Sequence, residues 1–125
     1  MLAELSTRFP FGVVLVTDSR STEEIPQWES DSAQVTSART ALVLRIRHEV
    51  DGDSAVRVWS KEPEKALPFD YGTTILEVPS RTLRVCTADG ARSVVIEGIS
   101  ARVGVKVTAS RNGNPDLVDL VLTPT

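Results

Sequence analysis

The sequence predicts an all-β fold, a single antiparallel β-sandwich or jelly-roll-like barrel of about eight strands with little helix. Three observations carry that reading. Apolar residues recur mainly at every second position, the period of a strand rather than of a helix. The 125 residues include 17 Val, 5 Ile and 12 Thr, β-branched side chains that suit a pleated, half-buried surface. Turn-forming clusters recur at fairly regular spacing, as in sandwiches and barrels. The length fits one domain spanning residues 1–125.

Taken in order, Phe11 to Thr17 is a nearly continuous apolar run, expected to be a strand covered on both sides. From Asp18 to Thr36 the chain is polar and acidic, interrupted by Ile25, Pro26 and Trp28, and reads as a long surface loop with room for one short edge strand. Thr40 to Val50 alternates clearly, with Leu42, Leu44, Ile46, His48 and Val50 on one face. After Asp51-Gly52-Asp53 the alternation resumes in Ser54 to Ser60. A three-residue turn would make these segments a hairpin that pairs Ile46 with Val58 and His48 with Val56, and so keeps both apolar faces on one side. Residues 61–71, with Pro63 and Pro68, read as a loop with room for a helical turn near Glu64 to Leu67. Thr73 to Val78 is a strand that stops at Pro79. Thr82 to Ala88 and Ala91 to Ile99 form a second hairpin about Asp89-Gly90, pairing Val85 with Val94 and Leu83 with Ile96. Arg102 to Ala109 and Leu117 to Thr123 complete the set, separated by the Asn112-Gly113-Asn114-Pro115 turn.

Composition narrows the function classes. A formal net charge of −3 lacks the basic excess of a general nucleic-acid binder, so no nucleic-acid partner is expected. One cysteine, Cys86, excludes an internal disulfide, and one histidine, His48, leaves the usual zinc ligand sets unfilled. No metal or other cofactor is expected. The early apolar run is too short to span a membrane, and a cytoplasmic location is the simplest reading. Asp51 and Asp53 flank Gly52 in a way compatible with weak calcium binding, although hairpin tips carry Asp for turn reasons alone. No nucleophile elbow and no phosphate-binding glycine loop is present. His48 on an apolar face and Cys86 beside Arg84 read as packing residues, and no catalytic residue is assigned.

Two surfaces stand out. In the expected 40–60 hairpin, Arg47 faces Arg57 and Arg45 faces Trp59 on the outward side. Facing arginines need a compensating anion, and an arginine over a tryptophan is suited to a cation–π contact. The second surface is the acidic loop carrying Trp28, because tryptophan and arginine dominate protein-binding hot spots. Arg45, Arg47, Arg57, Trp59 and Trp28 are therefore the expected partner-binding residues. An alternative small-ligand or carbohydrate site draws on Trp28, Phe69 and Tyr71. A third possibility is a structural subunit whose edge strands pair between copies.

The order of elements resembles the competence-protein-J-like β-sandwich family, associated with inhibition of a nuclease. The resemblance lies in the Phe11 to Val16 strand, the Trp28 loop, the strand ending Val58-Trp59, the Leu67-Pro68-Phe69 segment and the strand ending Glu77-Val78-Pro79-Ser80. The aromatic expected after Gly90 is absent, Ala91 standing there. What the resemblance implies is an inhibitor-type role; together with the missing catalytic machinery and the two surfaces, the expectation is a non-enzymatic module that binds another protein as an inhibitor or immunity-type partner. The resemblance assigns no residue.

Overall fold

The computed structural model describes residues 1–125 and is an all-β sandwich of ten strands in two five-stranded sheets. Sheet A has the order β1-β5-β10-β9-β6, built from β1 (Ala3–Thr7), β5 (Ser54–Trp59), β10 (Leu117–Pro124), β9 (Arg102–Ala109) and β6 (Phe69–Glu77). Sheet B has the order β3-β4-β2-β7-β8, built from β3 (Val35–Ser37), β4 (Ala41–Arg45), β2 (Val13–Asp18), β7 (Thr82–Thr87) and β8 (Ser93–Glu97). The inward residues of both sheets form one apolar cluster, with Leu42 and Leu44 from sheet B meeting Val56, Val58, Val105 and Leu120 from sheet A. No helix is long and apolar enough to cross a membrane.

The later strands keep the expected faces. Val103, Val105 and Val107 of β9 and Val118, Leu120 and Leu122 of β10 point into the core. The β7–β8 hairpin has the expected register, Leu83 opposite Ile96 and Val85 opposite Val94. Its tip is a four-residue loop rather than a two-residue turn, closed by Thr87 N–H donating to the Arg92 carbonyl at 3.0 Å. Within that tip only Gly90 adopts positive φ, whereas a type I′ turn needs two such residues.

The expected hairpin over residues 40–60 does not form. β4 belongs to sheet B and β5 to sheet A, so Ile46 does not face Val58, and Arg47 does not face Arg57. Local backbone pairing explains the break. Ile46 N–H donates to the Gly12 carbonyl at 2.9 Å and Arg47 N–H to the Pro115 carbonyl at 2.8 Å, partners outside any β5 ladder. His48 then caps a 3-10 turn at Glu49–Asp51, its Nδ1 accepting from Val50 N–H at 3.2 Å. The Asp-Gly-Asp signal thus ends a crossover between sheets. Alternation marks each strand as half-buried but carries no information on which strand pairs with which.

Other expectations are corrected in detail. β1 is an additional strand that the sequence pattern does not mark, because Leu5 is its single buried side chain and gives no period. The sandwich is not wholly antiparallel, since β10 runs parallel to β5. The Phe11–Thr17 run is not covered on both sides: β2 starts at Val13 and alternates, with Val14 and Val16 in the core and Val13, Leu15 and Thr17 half-buried. β6 starts at Phe69 and holds a register shift between Asp70 and Thr73, and no helical turn forms at residues 64–67.

Candidate functional site

The outward side of sheet A carries the most constructed group of polar side chains. The ladder registers set Glu4, Arg57, Asp119, Thr108 and Asp70 in one row across its five strands. Asp119 is 0 % exposed, although it lies on the outward side. A carboxylate taken out of water is costly unless it is paired and hydrogen-bonded. Arg57 supplies that pairing with two N–H groups, Nε to Oδ1 at 2.7 Å and Nη2 to Oδ2 at 2.8 Å. The indole N–H of Trp59 donates to Oδ1 at 3.0 Å. The pair holds the Arg57 guanidinium further above its ordinary range, chiefly through the bond to Asp119 and against the effect of burial.

One buried anion therefore fixes two large side chains. The Arg57 guanidinium carbon also lies 5.4 Å from the centre of the Trp59 ring. Beside them an open groove of about 400 Å³ is lined by Arg57, Trp59, Pro63, Glu64 and Lys65. The 61–68 segment forming its other wall is tied to the sheet by Lys106 Nζ donating to Glu62 at 2.8 Å. Asp119 is not among the residues expected from the sequence. The available signal was an acidic residue inside the apolar run Leu117-Val118-Asp119-Leu120-Val121-Leu122, which demands a partner wherever the strand is covered.

The other expected partner-binding residues lie elsewhere. Arg45 is on the outward side of sheet B, its guanidinium 4.0 Å above the Trp28 ring and its Nε donating to the Ala33 carbonyl at 2.5 Å. The cation–π contact expected of Arg45 is thus made with Trp28 and not Trp59. Trp28 pins the long 19–34 loop against sheet B. On that side of β4, Ala41 and Val43 are buried as well as the core-facing Leu42 and Leu44. Arg47 sits at one end of the sandwich, 4.0 Å from Asp116. The five residues expected on two surfaces are therefore distributed over both outward faces and one end, in two separate touching pairs, Arg57 with Trp59 and Arg45 with Trp28, and with Arg47 apart from both.

The alternative ligand set is not brought together. Phe69 and Tyr71 are on β6 of sheet A, with the Tyr71 hydroxyl donating to the Arg111 carbonyl at 2.8 Å. None of the cavities is lined by Trp28, Phe69 or Tyr71. A polar cleft of about 320 Å³ lies at the end of the sandwich near Asp18, Glu23, Thr40 and Ser80, and its carboxylates are occupied by local donors. Glu23 accepts from both the backbone N–H and the hydroxyl of Thr40, which lowers its pKa. Cys86 is buried, and burial pushes its thiol above the ordinary value, away from a reactive thiolate. Asp53 faces Arg8 at 3.6 Å, and no three metal-ligating side chains converge anywhere in the chain.

No protein-family model matches the sequence, and no curated protein matches it. Solved structures do. The fold is similar to that of ComJ from Bacillus subtilis, described as an inhibitor of the DNA degrading activity of NucA. The TM-score is 0.69 at 12% identity, over 98% of this chain and 96% of that one. A second similar structure is the product of crocagin biosynthetic gene J, with a TM-score of 0.54 at 14% identity and the same coverage. At such identities the likeness is one of fold. It meets the expectation drawn from the order of elements.

Proposed function

We propose that this chain is a non-enzymatic protein-binding module of the inhibitor type, and that Trp59 with Arg57 on the outward side of sheet A is a contact surface for its partner. The observation carrying the proposal is the Asp119 carboxylate, which orders an arginine and a tryptophan at the edge of an open groove. Side chains already fixed before association lose less entropy on binding, and arginine and tryptophan are the residues richest in hot spots. The fold shared with an inhibitor of a DNA-degrading nuclease supports a protein partner in general.

The test is direct. Purified chain is mixed with NucA in a DNA-degradation assay, and a tagged copy is used to retain proteins from a lysate of the native host. Wild type should protect DNA or retain a defined partner, and a folded Trp59→Ala variant should bind about 30-fold or more weakly, the ~2 kcal/mol expected at least of a hot spot. Wild type that neither protects DNA nor retains any protein ends this reading.

A further inference from the structure

The segment Phe9-Pro10-Phe11-Gly12 forms a 3-10 turn with an unusual backbone. Phe11 has φ 62° and ψ 6°, and Gly12 follows with φ 63°. The left-handed region is unfavourable for a bulky L-residue and persists only where neighbours impose it. Both neighbours do so here. Phe9 is fully buried, and its carbonyl accepts from Gly12 N–H at 3.0 Å. Gly12 lies so close to the next element that a Cβ there would stand 2.8 Å from the Ile46 carbonyl oxygen. The turn cannot relax to bring Phe11 inward, and the ring is 76% exposed.

A second apolar side chain lies on the neighbouring turn. The Glu49–Asp51 turn packs against Pro10–Gly12 and leaves Val50 75% exposed, its N–H held by His48. These are the two most exposed of the large hydrophobic residues. Around them three carboxylates, Glu49, Asp51 and Asp53, outnumber two guanidiniums, Arg8 and Arg47, the second of which donates to the Asp53 carbonyl at 3.4 Å. Arg8 is engaged by the Glu49 carbonyl and by Asp53, while Glu49 and Asp51 make no ion pair. Anionic lipid headgroups would be repelled by such a rim, and so would a second copy of the same tip.

We infer that the Phe11–Val50 tip is a docking surface for a second protein, one presenting an apolar pocket bordered by lysine or arginine. The inference rests on the protein-binding reading and adds a contact away from Trp59. Phe11 acts as a rigid anchor, with the carboxylates steering the encounter.

The experiment places the photo-crosslinker p-benzoylphenylalanine singly at positions 11, 50, 59 and 95 and irradiates each form in a lysate of the native host. One protein should be captured from positions 11 and 50 but not 95, through a peptide in which apolar residues adjoin lysine or arginine. Against that protein, once purified, Phe11→Ser should weaken binding tenfold or more, and added salt should weaken wild type. Capture at 59 alone leaves the protein-binding reading standing and overturns the tip. No capture at any position removes both. A second copy of the chain captured at 11 and 50 overturns the inference in favour of self-association. Phe11→Gly gives a readout independent of the lysate. Glycine adopts the left-handed backbone freely, so the thermal midpoint should stay level or rise by about 2–4 °C while binding falls. A variant that loses stability and binding together would make Phe11 a structural residue.

Discussion

At the scale of single residues, the burial of Asp119 decides what sheet A tolerates. Its two oxygens receive three donors, two from Arg57 and one from Trp59, and it is fully enclosed. Asp119→Ala strands the guanidinium and the indole N–H, and unfolding in urea should show a loss of roughly 3 kcal/mol. A change smaller than about 1 kcal/mol would mean that water replaces the carboxylate without penalty. Asp116 offers a pH test. Its pKa is lowered chiefly by the Ser110 hydroxyl, which donates at 2.8 Å; burial opposes this as the next largest effect, and the residue's own backbone N–H, Arg111 and Arg47 lower it by lesser amounts. A carboxylate lowered in the folded state contributes stability that is complete above its unfolded value near 3.9, and that is lost as pH falls through the folded one. Ser110→Ala should therefore raise the Asp116 pKa and weaken the chain's acid resistance, read from the carboxyl carbon by NMR between about pH 2 and pH 6. An unchanged titration would assign the lowering to the backbone N–H and the arginines. Of these groups, Arg57 and Trp59 were legible as unusual side chains. Asp119 was not, because a single charge in a strand looks outward until the covering of that face is known.

Elements were legible to the extent that their neighbours in sequence are also their neighbours in space. The β7–β8 hairpin is such a case, and its register follows from matching faces across a short connection. β4 and β5 look equally like a hairpin, yet their separation is set by bonds from Ile46 to Gly12, 34 positions away, and from Arg47 to Pro115, 68 positions away. No local pattern contains those bonds. The 19–34 loop was recognisable as a loop, whereas its attachment through Trp28 and Arg45 was not, since the sequence set Arg45 against the wrong tryptophan. That attachment makes a prediction. Trp28→Ala removes a stacking contact of about 0.5–1 kcal/mol plus the buried ring face. Hydrogen exchange should accelerate across residues 19–34 and in β3, with β9 and β10 still protected. Uniform acceleration throughout would mean that the loop is part of the core's cooperative unit.

For the whole molecule, fold class was readable from β-branched content and period two, because both reflect packing against a face regardless of strand order. Topology was not. Sheet A assembles strands from both ends of the chain, with β1 beside β5, and β10 parallel to β5 on one side and antiparallel to β9 on the other. The last strand is thus the middle one of its sheet, bonded along both edges, burying Val118, Leu120 and Leu122, and joined to β9 by the short turn at residues 110–116. Cutting at Gly113 would leave residues 1–113 with an open slot between two unpaired ladders, and residues 114–125 as the peptide that fits it. Each piece alone should lack a cooperative urea transition, and mixing should restore one whose midpoint rises with peptide concentration. A fragment that folds fully without the peptide would show β10 to be dispensable. Divided there, the chain's folding becomes a bimolecular association with a measurable dissociation constant, and the molecule a two-part reporter of whether its halves have been brought together.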